Sequence, residues 1–223
     1  MDLYHPSPIF QEQRRFQEFA RGLIRLPEPG EEVGDYLLPE TQWQEFCSRI
    51  EDLESWFMGL SQATGVYFFP SREWVPRLVR YLESLGVARL LEAGAGRGYL
   101  TAALGPLAEA VGMEFLALDR EDGEFAAGLP VSPLVQPGDV FTAIREFQPQ
   151  ALVYAWPPPG QSLAPLFEVP SLHYLLLIGE EEGGAAGARE DWERLPYKNS
   201  PFLRHFSRGR TGPKKHRVTI FYE

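Results

Sequence analysis

Ala88-Arg89-Leu90-Leu91-Glu92-Ala93-Gly94-Ala95-Gly96-Arg97-Gly98 is the stretch that decides the fold. An apolar run that ends in an acidic residue and passes into a glycine turn reads as a buried strand entering a nucleotide-type site. Dinucleotide sites use G-x-G-x-x-G, which lets the backbone approach a pyrophosphate at a helix N-terminus. Here the third glycine comes one residue early, giving E-x-G-x-G-x-G. The glycines alone also fit a tight strand-to-helix turn in some other α/β domain, so the flanking elements must decide.

Those elements alternate. Upstream, Ser71 is a candidate N-cap for a helix with Val75, Leu78, Val79, Leu82 and Leu85 on one face, ended by Gly86. After the first strand, Arg89 to Leu91, a helix is expected from Tyr99 to Val111, then a strand from Glu114 to Leu118 ending at Asp119. A third strand is expected around Pro133-Leu134-Val135, a helix from Phe141 to Phe147, and a fourth strand from Ala151 to Ala155 that ends at Trp156-Pro157-Pro158-Pro159-Gly160. A short helix around Ser162 to Phe167 and a fifth strand, His173 to Ile178, follow. Phe202–Phe206 and Val218–Tyr222 read as a terminal antiparallel pair. This order predicts an α/β fold, a mostly parallel Rossmann-like sheet with an antiparallel terminal strand and helices on both faces.

The region before it, residues 1–64, reads as a helical extension, with 65–223 as the main domain. Phe16, Phe19, Ala20, Leu23 and Ile24 make one stripe, and Leu26-Pro27-Glu28-Pro29-Gly30 breaks it. Thr41-Gln42-Trp43-Gln44 has the form of a capping box opening one long run with Trp43, Phe46, Cys47, Ile50, Leu53, Phe57 and Leu60 on a face. Tyr67, Phe68 and Phe69 are an aromatic, β-prone segment, suited to core packing or to a pocket wall.

The glycine motif in this setting resembles the first motif of the class I S-adenosylmethionine (SAM)-dependent methyltransferases. The resemblance extends over roughly Ser71 to Tyr222, since a terminal strand pair is also a mark of that fold. It implies SAM as cofactor. Gly94, Ala95, Gly96 and Gly98 would lie against the amino-acid end of SAM, with Glu92 helping to bind its ammonium group. Asp119, 21 residues beyond Gly98, matches the acidic residue that accepts from the ribose hydroxyls. Arg120 follows it and belongs with the cofactor set; an ion pair of Asp119 with Arg97 or Arg120 is the alternative. Asp139 matches the residue that accepts from the adenine amino group, with Val140 at the adenine edge. Asp139 is equally suited to cap the next helix.

On the acceptor side the pattern departs from the family. Trp156-Pro157-Pro158-Pro159 stands where some members carry Asn/Asp-Pro-Pro-aromatic and accept from a target nitrogen. Indole N–H only donates, so that chemistry does not carry over. Trp156, as a stacking or shielding group, and Glu180, as an orienting or proton-accepting group after the fifth strand, are the candidate catalytic residues. A rigid proline turn and a solvated acidic loop are the structural alternatives.

Bulk properties bound the rest. The net charge of −10 argues against non-specific nucleic-acid binding. From Arg194 to Tyr222, however, there is no acidic residue and there are eight basic ones. That segment keeps a nucleic-acid acceptor open beside a small molecule or protein. Cys47 is the only cysteine and the four histidines show no zinc spacing, so no metal site is expected. His205 and His216 are placed to face each other on a terminal hairpin. No apolar run approaches the ~20 residues that span a bilayer, and no signal-peptide pattern opens the chain, so a cytoplasmic enzyme is expected. Rival readings are a non-catalytic SAM-binding scaffold, a nucleic-acid methyltransferase, and a nucleotide-dependent oxidoreductase.

Overall fold

A computed structural model describes residues 8–120, 128–207 and 218–223. Its centre is a seven-stranded sheet in the order β4-β3-β2-β5-β6-β9-β7. The strands are β2 (Arg89–Ala93), β3 (Glu114–Asp119), β4 (Val135–Pro137), β5 (Ala151–Ala155), β6 (Tyr174–Ile178), β7 (Tyr197–Ser200) and β9 (Val218–Tyr222). β4, β3, β2, β5 and β6 run parallel, and β9 is antiparallel to both β6 and β7. A separate two-stranded pair joins β1 (Phe68–Phe69) to β8 (Phe206–Ser207). The predicted mostly parallel sheet with its antiparallel terminal strand is therefore present.

Both faces of the sheet are covered, which explains why its strands read as continuous apolar runs rather than alternating ones. Leu90, Val153, Leu176, Ile178 and Ile220 share one core with helices α4 (Trp74–Ser84) and α5 (Thr101–Ala110). Leu91, Ala93, Leu152, Leu175, Leu177 and Phe221 point the other way, against α6 (Val140–Phe147) and Trp192 of α7 (Arg189–Arg194). Glu92, between Leu91 and Ala93, shares the face of Leu90.

The first core does not stop at the sheet. It takes in Ala20 and Ile24 from the end of α1 (Pro8–Leu23), Trp43 from α2 (Glu40–Arg49), and Phe57, Leu60 and Ala63 from α3 (Leu53–Thr64). Trp43 is fully buried and lies 5.7 Å from the Phe206 ring, nearly parallel to it, and 5.6 Å from the Phe69 ring. Phe57 stacks on Phe69 at 5.6 Å. Aromatic pairs of this kind add to their area burial, so β1 and β8 act as a bracket between the N-terminal helices and the rest.

Several sequence expectations are corrected. The antiparallel partner of β9 is Tyr197–Ser200, not Phe202–Phe206. Pro201 starts a tight 3₁₀ turn, with Leu203 N–H donating to Ser200 Oγ, and Phe206 is then drawn to β1 by the aromatic cluster. The single long helix expected around Trp43 to Leu60 is two helices. Asp52 breaks the run as an N-cap, accepting from Ser55 N–H at 3.0 Å. Thr41 is not a cap either. α2 begins at Glu40, whose N–H donates at 2.8 Å to the Glu73 carboxylate, and Glu40 itself pairs with Arg77. α4 thus caps α2 from outside, which no local pattern reveals. Phe19 is 47% exposed although it fell on the apolar stripe. α7 lies in what reads as a Gly- and Glu-rich loop. The residues Arg208 to Arg217 and the His205–His216 pairing fall outside the described residues.

Trp43→Ala should destabilise the whole protein by about 3–5 kcal/mol, the usual cost of removing a buried large aromatic. A single cooperative urea transition, shifted for signals from both the helices and the sheet, is the expected result.

Candidate functional site

The strand order reverses at β2. β3 lies on one side of it and β5 on the other, so a crevice forms at their carboxyl ends, where open α/β sheets hold ligands. The glycine stretch crosses this point. Gly94 and Gly98 adopt φ of +62° and +76°, a region that disfavours side chains. A Cβ at Gly94 would sit 2.7 Å from the Tyr154 ring, and one at Gly98 would sit 2.5 Å from Ser132 Cβ. Gly96 differs. A Cβ there would meet nothing nearer than Gly65 O, at 4.0 Å. Two of the glycines are thus required by packing, while the middle one, itself at φ +55°, is required by its backbone conformation alone.

Asp119 closes β3 and accepts from Gly96 N–H at 2.6 Å. Ala95 N–H donates to Leu118 O at 3.1 Å. The acidic strand end therefore fixes the glycine loop, and the sequence-predicted pair of Asp119 and the loop meet in space. Further along, Asp139 Oδ2 caps α6 by accepting from Thr142 N–H at 3.1 Å, and its Oδ1 lies 3.2 Å from Arg120. The capping role read from the sequence is therefore present, and the other carboxylate oxygen faces Arg120. Val140, the first residue of α6, is buried.

Glu92 is the outlier in the site. It is 3% exposed, and its Oε2 makes no hydrogen bond. Burial pushes its pKa up to about 8, the Thr101 hydroxyl opposes part of that rise, and the nearby Asp119 charge adds a smaller push upward. A carboxyl group that costs this much to ionise holds a proton at neutral pH, unless a cation arrives.

The N-terminal region reaches the same place, which the sequence did not reveal. Tyr36 is buried, donates its hydroxyl to Tyr99 O just after the glycine loop, and packs edge-on against the Tyr99 ring at 5.4 Å. Thr64 O accepts from Leu129 N–H at 2.9 Å. Only the sequence neighbourhood of Tyr36, an isolated aromatic between two helices, could have drawn attention to it.

At the end of β5, Trp156 has φ +53°, rare for a bulky residue. Its N–H continues the sheet by donating to Ile178 O at 2.7 Å, and its indole N–H donates to Tyr67 O at 3.0 Å. The structure thus joins Trp156 to the Tyr67–Phe69 segment. The proline turn is tied down as well, with Gly187 N–H donating to Pro157 O at 3.1 Å. Glu180 folds into its own loop, where Oε2 accepts from Ala185 N–H at 2.7 Å. Phe68 and Phe69 are core residues. Among the described residues no cluster of His, Cys, Asp and Glu could hold a metal ion, and no helix is long and apolar enough to cross a membrane.

No family model matches the chain, and no curated protein matches it. Solved structures do. A SAH-bound methyltransferase from Podospora anserina, PaMTH1, matches at 9% identity over 100% of this chain and 99% of that one, with a TM-score of 0.45. The cofactor-bound Rv0187 from MTB matches at 9% identity over 99% and 91%, also at 0.45. Human N-acetylserotonin methyltransferase, in complex with SAM, matches at 11% identity over 97% and 68%, at 0.39.

Folding keeps the proton on Glu92. Its contribution to stability is whole below the unfolded value of 4.5 and is lost as pH rises through about 8. Thermal midpoints of the unliganded protein, compared with Glu92→Gln, should therefore fall steadily from pH 5 to pH 8 and level off beyond. A constant difference across that range would mean that Glu92 is ionised in the folded state.

Proposed function

We propose that this chain is a SAM-dependent methyltransferase. The observation that carries the reading is the pair of carboxyl groups, Glu92 and Asp119, set at adjoining strand ends around an open glycine turn. A buried carboxyl oxygen without a partner suits a ligand that brings a positive charge and N–H donors. Asp119, at the next strand end, suits a ribose diol. The Gly96 backbone between them is uncrowded, since a Cβ there would meet only Gly65 O, at 4.0 Å. A dinucleotide would instead need its pyrophosphate at the loop, where the Glu92 carboxylate would repel it and the Glu92 acid could offer a single O–H donor.

On this reading Glu92 accepts from the ammonium group, and the backbone of Gly94, Ala95, Gly96 and Gly98 lies along the amino-acid portion. Asp119 accepts from the ribose hydroxyls, with Arg120 flanking it. Asp139 accepts from the adenine amino group, and Val140 packs on the ring. Bound there, SAM supplies a methyl group activated by its sulfonium charge for in-line displacement. The protein's share of the rate is then largely positioning. Trp156 is held in a strained conformation that costs about 1–3 kcal/mol, and its indole is locked to Tyr67 O. It forms a fixed wall at the acceptor side. Glu180, held by its own loop, would orient the acceptor or take its proton only after exchanging the Ala185 hydrogen bond.

The acceptor belongs to a small-molecule or protein class rather than to nucleic acid, which the net charge of −10 disfavours. One observation favours a second reading, a SAM-binding protein without turnover. Both acceptor-side candidates, Trp156 and Glu180, are engaged in hydrogen bonds that hold their own loops.

Titration with SAM should show saturable binding and titration with NADH none. Asp119→Ala should weaken SAM binding at least tenfold, since charge-assisted hydrogen bonds contribute about 1.5–3 kcal/mol each. Formation of S-adenosylhomocysteine with any acceptor separates the enzyme from the non-catalytic reading. Binding of NADH in preference to SAM would overturn both.

A further inference from the structure

The unpartnered carboxyl of Glu92 has a consequence beyond binding the cofactor. We propose that cofactor capture by this protein is coupled to the release of one proton from Glu92, so that pH sets the affinity for the amino-acid end of the ligand. The inference rests on the SAM reading above.

The geometry carries it. Glu92 lies in the central strand, is 97% buried, and leaves Oε2 without a hydrogen bond. The groups that act on it are neutral or acidic. Thr101 of α5 presents a buried hydroxyl that favours the charged form. Asp119 of β3 presents a second carboxyl group, and Tyr36 of the N-terminal region presents a phenol whose ionisation the Glu92 charge opposes. Arg25, the cation that acts on Tyr99 beyond the glycine loop, pairs with Glu31 at 2.6 Å. Among the described residues no cation acts on Glu92. A carboxylate in such surroundings is strongly disfavoured, and its pKa is pushed up to about 8.

The step balances simply. The O–H bond of the Glu92 carboxylic acid breaks, and its electron pair stays on the carboxylate. The proton leaves to solvent, and an ammonium group of the ligand takes its place as the positive partner. A ligand without an ammonium group drives no such release. The coupling is read between pH 6 and 7.5. Within that range the free protein holds the proton, below it the carboxylate of the complex begins to take the proton back, and above it a ligand α-amino group, with a pKa of about 7.7–8.0, begins to lose its own charge.

S-adenosylhomocysteine and 5′-methylthioadenosine, which shares the nucleoside and thioether but lacks the amino acid, separate the terms. Calorimetric titration at pH 6.5 in two buffers of different ionisation enthalpy should show close to one proton released with S-adenosylhomocysteine and none with 5′-methylthioadenosine. Affinity for the first should rise about tenfold per pH unit between 6 and 7.5, as one linked proton requires, while that for the second stays flat. Glu92→Gln should bind S-adenosylhomocysteine with no proton release and no slope. The wild-type protein alone keeps the test decisive if that variant misfolds. Binding of S-adenosylhomocysteine without release or slope overturns the coupling and leaves the cofactor reading intact. A slope that persists in Glu92→Gln overturns the assignment to Glu92. No binding of either nucleoside at any pH overturns the cofactor reading itself.

Discussion

A carboxyl group buried without a cation is an expensive thing to build into a central strand, and the site is arranged around that expense. β2 is covered on both faces, so Glu92 is almost wholly removed from water, at 3% exposure. Its neighbours, Thr101, Asp119 and Tyr36, cannot neutralise a negative charge. A structural role would be better served by an apolar residue or by a paired one, since replacing buried charges with hydrophobic groups is often neutral or stabilising. The arrangement makes sense if the missing partner is a ligand. That places the cost of Glu92 in the unliganded state and returns it on binding.

The glycine loop is held from three directions, and each direction belongs to a different part of the chain. Asp119 anchors it through Gly96 N–H. Ser132 N–H donates to Arg97 O at 3.0 Å, which ties it to the segment before β4. Tyr36 fixes the backbone just beyond it, at Tyr99. A loop that must offer its backbone to a ligand gains from being preorganised in this way, because little ordering remains to be done on binding. The N-terminal region is therefore more than an addition to the sheet. It shares the core of the sheet through Trp43 and Phe57 and supplies part of the scaffold of the site.

What was legible in the sequence was what local pattern encodes. The parallel strands announced themselves as apolar runs, because both sheet faces are buried. The glycine turn and Asp119 were legible because spacing along a βαβ unit sets their distance in space. Less visible were features decided by contacts between distant segments. β9 takes Tyr197–Ser200 as its partner although that stretch is polar, because Pro201 and the aromatic cluster carry Phe206 elsewhere. The cap on α2 comes from Glu73, 33 residues away in sequence. Asp52 was a readable N-cap, yet the apolar stripe on either side of it concealed the break. The burial of Glu92 was likewise beyond the sequence, since an acidic residue at a strand end could equally have faced solvent.

On the proposed reading, the acceptor side follows a different logic from the cofactor side. Glu92 and Asp119 are poised by what they lack or share, whereas Trp156 is fixed by what it already bonds. Its backbone is strained, its N–H is in the sheet and its indole N–H is taken by Tyr67 O. A residue over-determined in this way cannot rearrange readily to suit different acceptors. It acts as a rigid boundary, and because its donor is spent, that boundary offers a ring face instead of a hydrogen bond. Selectivity for the acceptor then has to come from shape and from the segments that flank Trp156, namely Tyr67–Phe69 and the loop after β6. Both of these are tied to the N-terminal helices or to the proline turn. The same packing that preorganises the glycine loop therefore also sets the outline of the acceptor side, and changes in the helices α2 and α3 would be felt at both ends of the site.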